Sequence, residues 1–280
     1  MIPTGFLGKL DVGMTQKKAP DHYIRHDDLE YGRAVCRGQD IALRLDLSLP
    51  KAARNPVPLI MWIHGGGFRN GHKDWAGHMT DSRWFTKAGY AFASIDYRLK
   101  AERSDLSDPV RQRMTALEKH CDPEFRKDLA GAAALAAMED ALTALTWLQD
   151  NRAGFNLSGW VALGGNSAGA ITAFNTAYLT GFFGLSRPAI RGIVSISGGF
   201  AYPALYAPGL APVHALHNPT DDRVDIALIR RIEALGGDAV ELVTSDRQLH
   251  GRVRLAPDEP PREAYGRIFR FLDRLRDNDP

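Results

Sequence analysis

Five short apolar runs, at 59–63, 90–95, 160–163, 190–196 and 213–216, are separated by longer segments with helical spacing. This alternation is the feature that most limits what the chain can fold into. A run such as LIMWI, with hardly a polar residue, suits a strand covered on both faces, the situation of a parallel sheet. Between the runs, Ala141, Leu145 and Leu148 recur at helical spacing, and so do Leu228, Ile232 and Leu235, the latter closed by Gly236-Gly237. Ile268, Phe269, Leu272 and Leu275 mark a last amphipathic helix. The segment IALRLDLSL at 41–49 instead alternates apolar and polar residues and stops at Pro50, which predicts an antiparallel strand with one solvated face. A further strand is expected at 240–243. The whole pattern predicts an α/β domain with a parallel central sheet and an antiparallel start.

A chain of 280 residues is long enough for one large core, and 44% hydrophobic with 24% charged residues is ordinary for a globular domain. The net charge is only +2 and the basic residues are scattered, which argues against a nucleic-acid or anionic-membrane partner. Two cysteines, Cys36 and Cys121, are too few for a disulfide scaffold and suit a cytoplasmic protein. The first twenty residues hold no unbroken apolar segment of signal-peptide length, and no stretch approaches the ~20 apolar residues of a membrane span. The charged segment 100–127 fits the alternation poorly. It is expected to be an insertion or lid over the sheet edge, with a short helix around Met114, Leu117 and Cys121.

Two glycine-rich stretches carry the chemistry. At the end of run 160–163 comes GGNSAGA, in which residues 165–169 read G-x-S-x-G, followed by the helix-compatible stretch 170–179. Strand, tight turn and helix are the setting in which this motif exposes a serine nucleophile, Ser167, with only small residues tolerated at Gly165 and Gly169. The second stretch is HGGG at 64–67, directly after run 59–63. Three glycines are costly in chain entropy, but they let backbone N–H groups approach a developing negative charge without obstruction. Gly66, Gly67 and Ala168 are the expected oxyanion donors, and His64 the organiser of their loop.

HGGGF at 64–68, DYRL at 96–99, GNSAG at 165–169 and TDDRV at 220–224, in this order, resemble an α/β-hydrolase carboxylesterase. The closest likeness is to the hormone-sensitive-lipase-like and bacterial feruloyl-esterase-like branch. It runs from about Tyr31 to Leu275. The resemblance implies a single domain over 1–280 with residues 1–30 as an N-terminal extension. It also implies a mostly parallel eight-stranded sheet flanked by helices, a Ser-Asp-His triad and neither cofactor nor metal. Two features depart from the family pattern. The loop before the acid reads HNPTDD where HGxxDD is familiar, and segment 100–127 is no family signature.

The family's chain order of serine, acid and histidine places the base after Ser167, among His214, His217 and His250. His214 lies inside a strand and His217 ends it, whereas His250 sits in the loop SDRQLHGRV after strand 240–243, where the family keeps its base. Asp221, Asp222 and Asp225 follow strand 213–216, and in the matching motif the first Asp is the catalytic one, Asp221. Phe68, Trp75 and Phe200, with Tyr202 and Tyr206, are candidates for an apolar substrate pocket. Glu139 and Asp140, adjacent on a helix, are expected to be structural ion-pair partners that point apart. Asp96 and Arg98 are expected to brace a loop, and His72 and His78 to be solvated. The sequence thus points to a serine hydrolase of small esters. An amidase such as an arylformamidase is the nearest rival, and a non-catalytic receptor on the same scaffold is the rival from another class. Monomer and homodimer are both open.

Overall fold

The computed structural model describes residues 22–75, 81–207 and 209–278. Its centre is an eight-stranded sheet of β1 (Tyr23–Cys36), β2 (Gln39–Pro50), β3 (Val57–Ile63), β4 (Ala91–Ile95), β5 (Leu157–Asn166), β6 (Ile193–Ile196), β7 (Val213–His217) and β8 (Val240–Thr244). They lie side by side in the order β1-β2-β4-β3-β5-β6-β7-β8. β1 and β2 run antiparallel, as do β2 and β4, and every later pairing is parallel.

The apolar runs are apolar because both faces of the sheet are covered. Along β3, Leu59, Met61 and Ile63 face one hydrophobic cluster while Ile60 and Trp62 face the other. The first cluster is closed by α2 (Asp108–Glu118), α3 (Ala132–Asp150), α4 (Ala168–Tyr178) and α5 (Ala227–Gly236). The second is closed by α1 (Ser82–Lys87) and α6 (Pro261–Asp277), through Phe85, Tyr265, Ile268, Phe271 and Leu272. Asp81 caps α1 by accepting the Arg83 N–H at 2.9 Å, and Pro261 opens α6, where a missing N–H costs nothing.

Three expectations are corrected here. β1 begins at Tyr23, inside the segment read as an N-terminal extension. Its sequence, YIRHDDLEYGRAVC, is charged because the strand forms the sheet edge, and its register shifts twice against β2, as suits a strand that must not recruit another. In segment 100–127 the helix spans Asp108–Glu118, with Val110, Met114 and Leu117 buried, while Cys121 lies beyond its end. Finally, the helical stretch Lys127–Asp150 is long and apolar enough by composition to cross a membrane, although no such stretch was expected. Its apolarity has a simpler source in the fold, since Leu135, Met138, Ala141, Leu145 and Leu148 are fully buried in the core.

Candidate active site

Ser167 stands between the last residue of β5 and the first of α4, with φ 54° and ψ −120°. A side chain at positive φ is strained, at a cost of order 1–3 kcal/mol, and the turn that enforces it is sterically closed. A Cβ at Gly165 would lie 2.4 Å from the Gly169 carbonyl carbon, and one at Gly169 would lie 2.0 Å from the Ile63 carbonyl oxygen. Both glycines are therefore required by backbone contact alone. The Ser167 N–H donates to Ile196 O at 2.8 Å, which pins the elbow to β6.

Three loops at the C-terminal ends of β5, β7 and β8 bring Ser167, Asp221 and His250 together. His250 Nε2 is 2.9 Å from Ser167 Oγ, and its Nδ1 is 2.6 Å from Asp221 Oδ2. The partners assign the protons: Nδ1–H donates to the carboxylate and Nε2 accepts from the hydroxyl. Asp221 Oδ1 accepts the N–H groups of Arg223 at 2.9 Å and Val224 at 3.1 Å, and its side chain has no exposed surface. Burial alone would raise this carboxyl, but the hydrogen bonds from His250 and the two amides outweigh it and hold Asp221 below the usual carboxylate range. Asp222 is exposed and makes none of these contacts. His217 donates from Nε2 to Val224 O at 2.9 Å, closing the acid loop from behind, and burial lowers its pKa. His214 is buried in β7 against Glu241, with Nδ1 3.0 Å from Oε2.

The HGGG loop lies against the elbow: a Cβ at Gly65 would sit 2.9 Å from Asn166 O and 3.4 Å from Ser167 Cβ. Gly66 and Gly67 have φ 115° and 61°, and Phe68 also takes positive φ at 61°. Among the described residues, the Gly66 and Gly67 amides have no backbone acceptor, and Ala168 opens α4, where an amide has no intrahelical partner. His64 is buried, stacks on Tyr97 at 4.3 Å between ring centroids and donates from Nδ1 to Gly65 O at 2.7 Å. Burial pushes its pKa down to about 4, so the ring is neutral and structural.

Side chains that sequence reasoning passed over, Asn166, Ser197 and Lys73, brace this assembly. So do Asp96, Arg98, Glu139 and Asp140, the expected bracing and ion-pairing residues. Asn166 accepts Trp62 Nε1–H at 2.6 Å and donates to Gly251 O at 2.6 Å, and the Gly251 N–H donates to Ser197 Oγ at 3.0 Å. The residue after His250 is thus gripped through both its N–H and its carbonyl. Beyond the glycine loop, Lys73 is buried with Nζ 3.0 Å from both Asp28 and Asp46, and its N–H reaches Asp96 Oδ1 at 2.6 Å. Arg98 is buried too. Its N–H and Nε bind Asp140 and its Nη2 binds Glu139 at 2.9 Å, so these adjacent carboxylates converge on one guanidinium instead of pointing apart. The bracing expected of Asp96 and Arg98 is thus observed, whereas no local pattern announces the long-range contacts of Asn166 and Lys73.

Phe68 and Phe200, expected at the pocket, are packed into the core at 1% and 0% exposure, against Tyr97 and Phe174 respectively. Tyr202 is buried with its hydroxyl on Ala130 O at 3.0 Å, and Tyr206 packs on Tyr178. Trp75 ends a short 3-10 turn, and His78 lies outside the described residues. His72 Nδ1 is 3.4 Å from Asp74. A cavity of about 590 Å³ lined by Pro56, Pro58, Arg152, Trp160, Arg191 and Arg276 opens at the opposite ends of β3 and β5, away from Ser167.

About nine-tenths of the chain superposes on solved esterases. Esterase B from Lactobacillus rhamnosis, in a structure with a tributyrin phosphonate, matches with a TM-score of 0.65 and 17% identity over 93% of this chain and 88% of that one. Thermogutta terrifontis esterase 2 with bound propionate matches with a TM-score of 0.62 and 16% identity, over 89% of this chain and 92% of that one. A truncated carbohydrate esterase from gut microbiota matches at 0.64 and 12% identity, covering 91% and 96%. The fold is that of an α/β-hydrolase. Within it, residues 45–110 match the BD-FAE family model, of feruloyl-esterase-like α/β-hydrolases. That segment contains HGGGF and DYRL, whereas the G-x-S-x-G turn at 165–169 lies beyond it.

Proposed function

We propose that the protein is a serine carboxylesterase that cleaves small esters through an acyl-enzyme. The observation that carries the proposal is the hydrogen-bonded chain Ser167–His250–Asp221 on a strained elbow, with the HGGG loop beside it. A serine hydroxyl becomes a useful nucleophile only when a base takes its proton as it attacks. His250 Nε2 takes that proton. Asp221 holds the proton-bearing Nδ1 in place and stabilises the imidazolium. The carbonyl oxygen gains negative charge and is met by the N–H groups of Gly66, Gly67 and Ala168, of which each typically lowers the barrier by ~3–4 kcal/mol. His250 returns its proton to the departing alkoxide, then activates the water that frees the acid and restores Ser167.

The neighbours that hold a tributyrin phosphonate and propionate favour short acyl groups as substrates here too. The test is hydrolysis of p-nitrophenyl esters of increasing chain length, beside aryl formamides, by the protein and its Ser167→Ala variant. Turnover of short esters that vanishes in the variant, with a fluorophosphonate labelling Ser167 alone, supports the reading. Preference for formamides would make it an amidase. Tight binding of the esters without turnover would make it a receptor.

A further inference from the structure

We propose that Asn218 is a positioning residue that couples the acid loop to the base loop and so keeps the His250 imidazole aligned with Ser167. The inference rests on the serine-hydrolase reading above. Asn218 stands directly after β7, where HNPTDD departs from the HGxxDD pattern. It is not among the residues with positive φ, so the backbone at this point does not require glycine. Its side chain has a different use.

The amide group of Asn218 is saturated. Nδ2 donates to Gln248 O at 2.7 Å and to Asp246 O at 3.3 Å, while Oδ1 accepts the Thr220 N–H at 2.8 Å and the Thr220 hydroxyl at 2.9 Å. Two donors and two lone pairs are all that a carboxamide offers, and its orientation is fixed because carbonyls face one end and N–H and O–H groups the other. The Asn218 carbonyl also accepts the Asp221 N–H at 3.2 Å. One residue is therefore fastened to the turn that delivers the acid and to the backbone two positions before the base.

Without it, little else joins the two loops. Among the described residues, the other direct links are the Ser245 N–H on His217 O at 3.4 Å and the Asp221–His250 bond itself. On its far side the base loop is already held, by the grip of Asn166 and Ser197 on Gly251. Gln248 Nε2 closes the loop upon itself through Arg252 O at 2.8 Å. His250 thus rides on a short arch with two anchors, Gly251 against the nucleophile strand and Gln248 against Asn218. Release of the second anchor lets the arch pivot about the first. A displacement of about 1 Å in such a site costs on the order of 100-fold in rate.

Asn218→Asp and Asn218→Ala separate this role from plain stability. The aspartate keeps the shape and the Thr220 contacts but places a carboxylate oxygen against two carbonyl oxygens. The alanine removes both halves. For each variant the measurements are kcat and KM on a short p-nitrophenyl ester, the rate of fluorophosphonate labelling at Ser167, and the downfield proton resonance of His250 Nδ1–H, all well below its melting temperature. The expected result is a kcat and a labelling rate that fall together by roughly 10- to 100-fold. KM stays close to the parent value, and the Nδ1–H resonance shifts or broadens. Variants with the parent's kcat and resonance overturn the proposal, as does a loss confined to KM or to the melting temperature. A parent that neither turns over esters nor labels at Ser167 overturns the hydrolase reading instead, and the resonance then decides by itself whether Asn218 positions His250.

Discussion

Asp221 and His250, 29 residues apart in sequence, meet at 2.6 Å between Oδ2 and Nδ1, while Asp222 is exposed. Adjacent carboxylates in one tight loop are therefore placed unequally. Asp221→Asn is expected to keep the shape of the loop yet favour the wrong imidazole tautomer, a change that costs a serine-protease triad about 10⁴-fold in turnover. Asp222→Asn is expected to leave turnover within a small factor of the parent. The check is kcat of both variants on one activated ester, with circular dichroism to confirm folding. A crippled Asp222→Asn beside an active Asp221→Asn would mean that the acid is assigned one residue too early.

Gly66 and Gly67 share positive φ but not the same surroundings. A Cβ at Gly66 would sit 1.9 Å from Asn70 O, a backbone clash that nothing flexible can relieve, whereas a Cβ at Gly67 meets nothing within 4 Å. Gly66→Ala should therefore distort the loop and abolish ester hydrolysis. Gly67→Ala should fold and lose about 1–2 kcal/mol of stability, the cost of a left-handed conformation for a residue with a Cβ. Denaturant midpoints and steady-state rates of the two variants test this, and equal effects at both sites would contradict it.

Stability should decline on the acid side of neutrality. His64, with its pKa pushed down to about 4 by burial, stays neutral in the folded protein while the unfolded chain binds a proton below about 6.5. The unfolded state thus holds more protons through that window, so stability rises with pH and is lost between about 6.5 and 4, by up to roughly 3 kcal/mol from this residue. His214 and His217, also lowered by burial, act in the same direction. Asp221 belongs to a lower window, because a depressed carboxyl loses its stabilising effect only as pH falls through the usual carboxylate range. Urea midpoints near neutrality and near pH 5 measure the decline. Equal midpoints would mean that His64 is solvated in the folded state.

Arg98 with Asp140 and Glu139 is a buried ionic cluster, the arginine and Asp140 side chains being 6% and 3% exposed. Arg98→Met would leave two carboxylates buried without their cation. Loss of one side of such a cluster costs about 3–5 kcal/mol, and chemical denaturation of the variant reads it directly. A loss below about 1 kcal/mol would place the cluster in the energetic class of surface pairs.

What the sequence discloses depends on where the physical constraint acts. The elbow glycines are legible because Gly165 and Gly169 answer to backbone atoms that come with the turn itself, so spacing and residue type carry the information. The parallel strands are legible because burial on both faces removes their polar residues. β1 escapes notice for the opposite reason: at the sheet edge it is selected for charge. Asn218 and Asn166 are illegible because their bonds reach backbone carbonyls 30 and 85 residues away, which leave no periodic trace. Phe68 and Phe200 mislead, since an aromatic residue near a catalytic loop has the same composition whether it faces a ligand or fills the core.

His250, the proposed base, follows β8, which among the described residues is an edge strand of the sheet, paired on one side only. Edge elements can detach at a fraction of the free energy needed to melt a whole domain. On the proposed hydrolase reading, fraying of this strand would loosen one end of the loop that carries His250 while the Ser167 elbow, on a central strand, stays in place, which would give an inactive but nearly native state. Loss of turnover on warming is then expected to run ahead of the loss of helical signal, and to be reversible for as long as the strand can zip back.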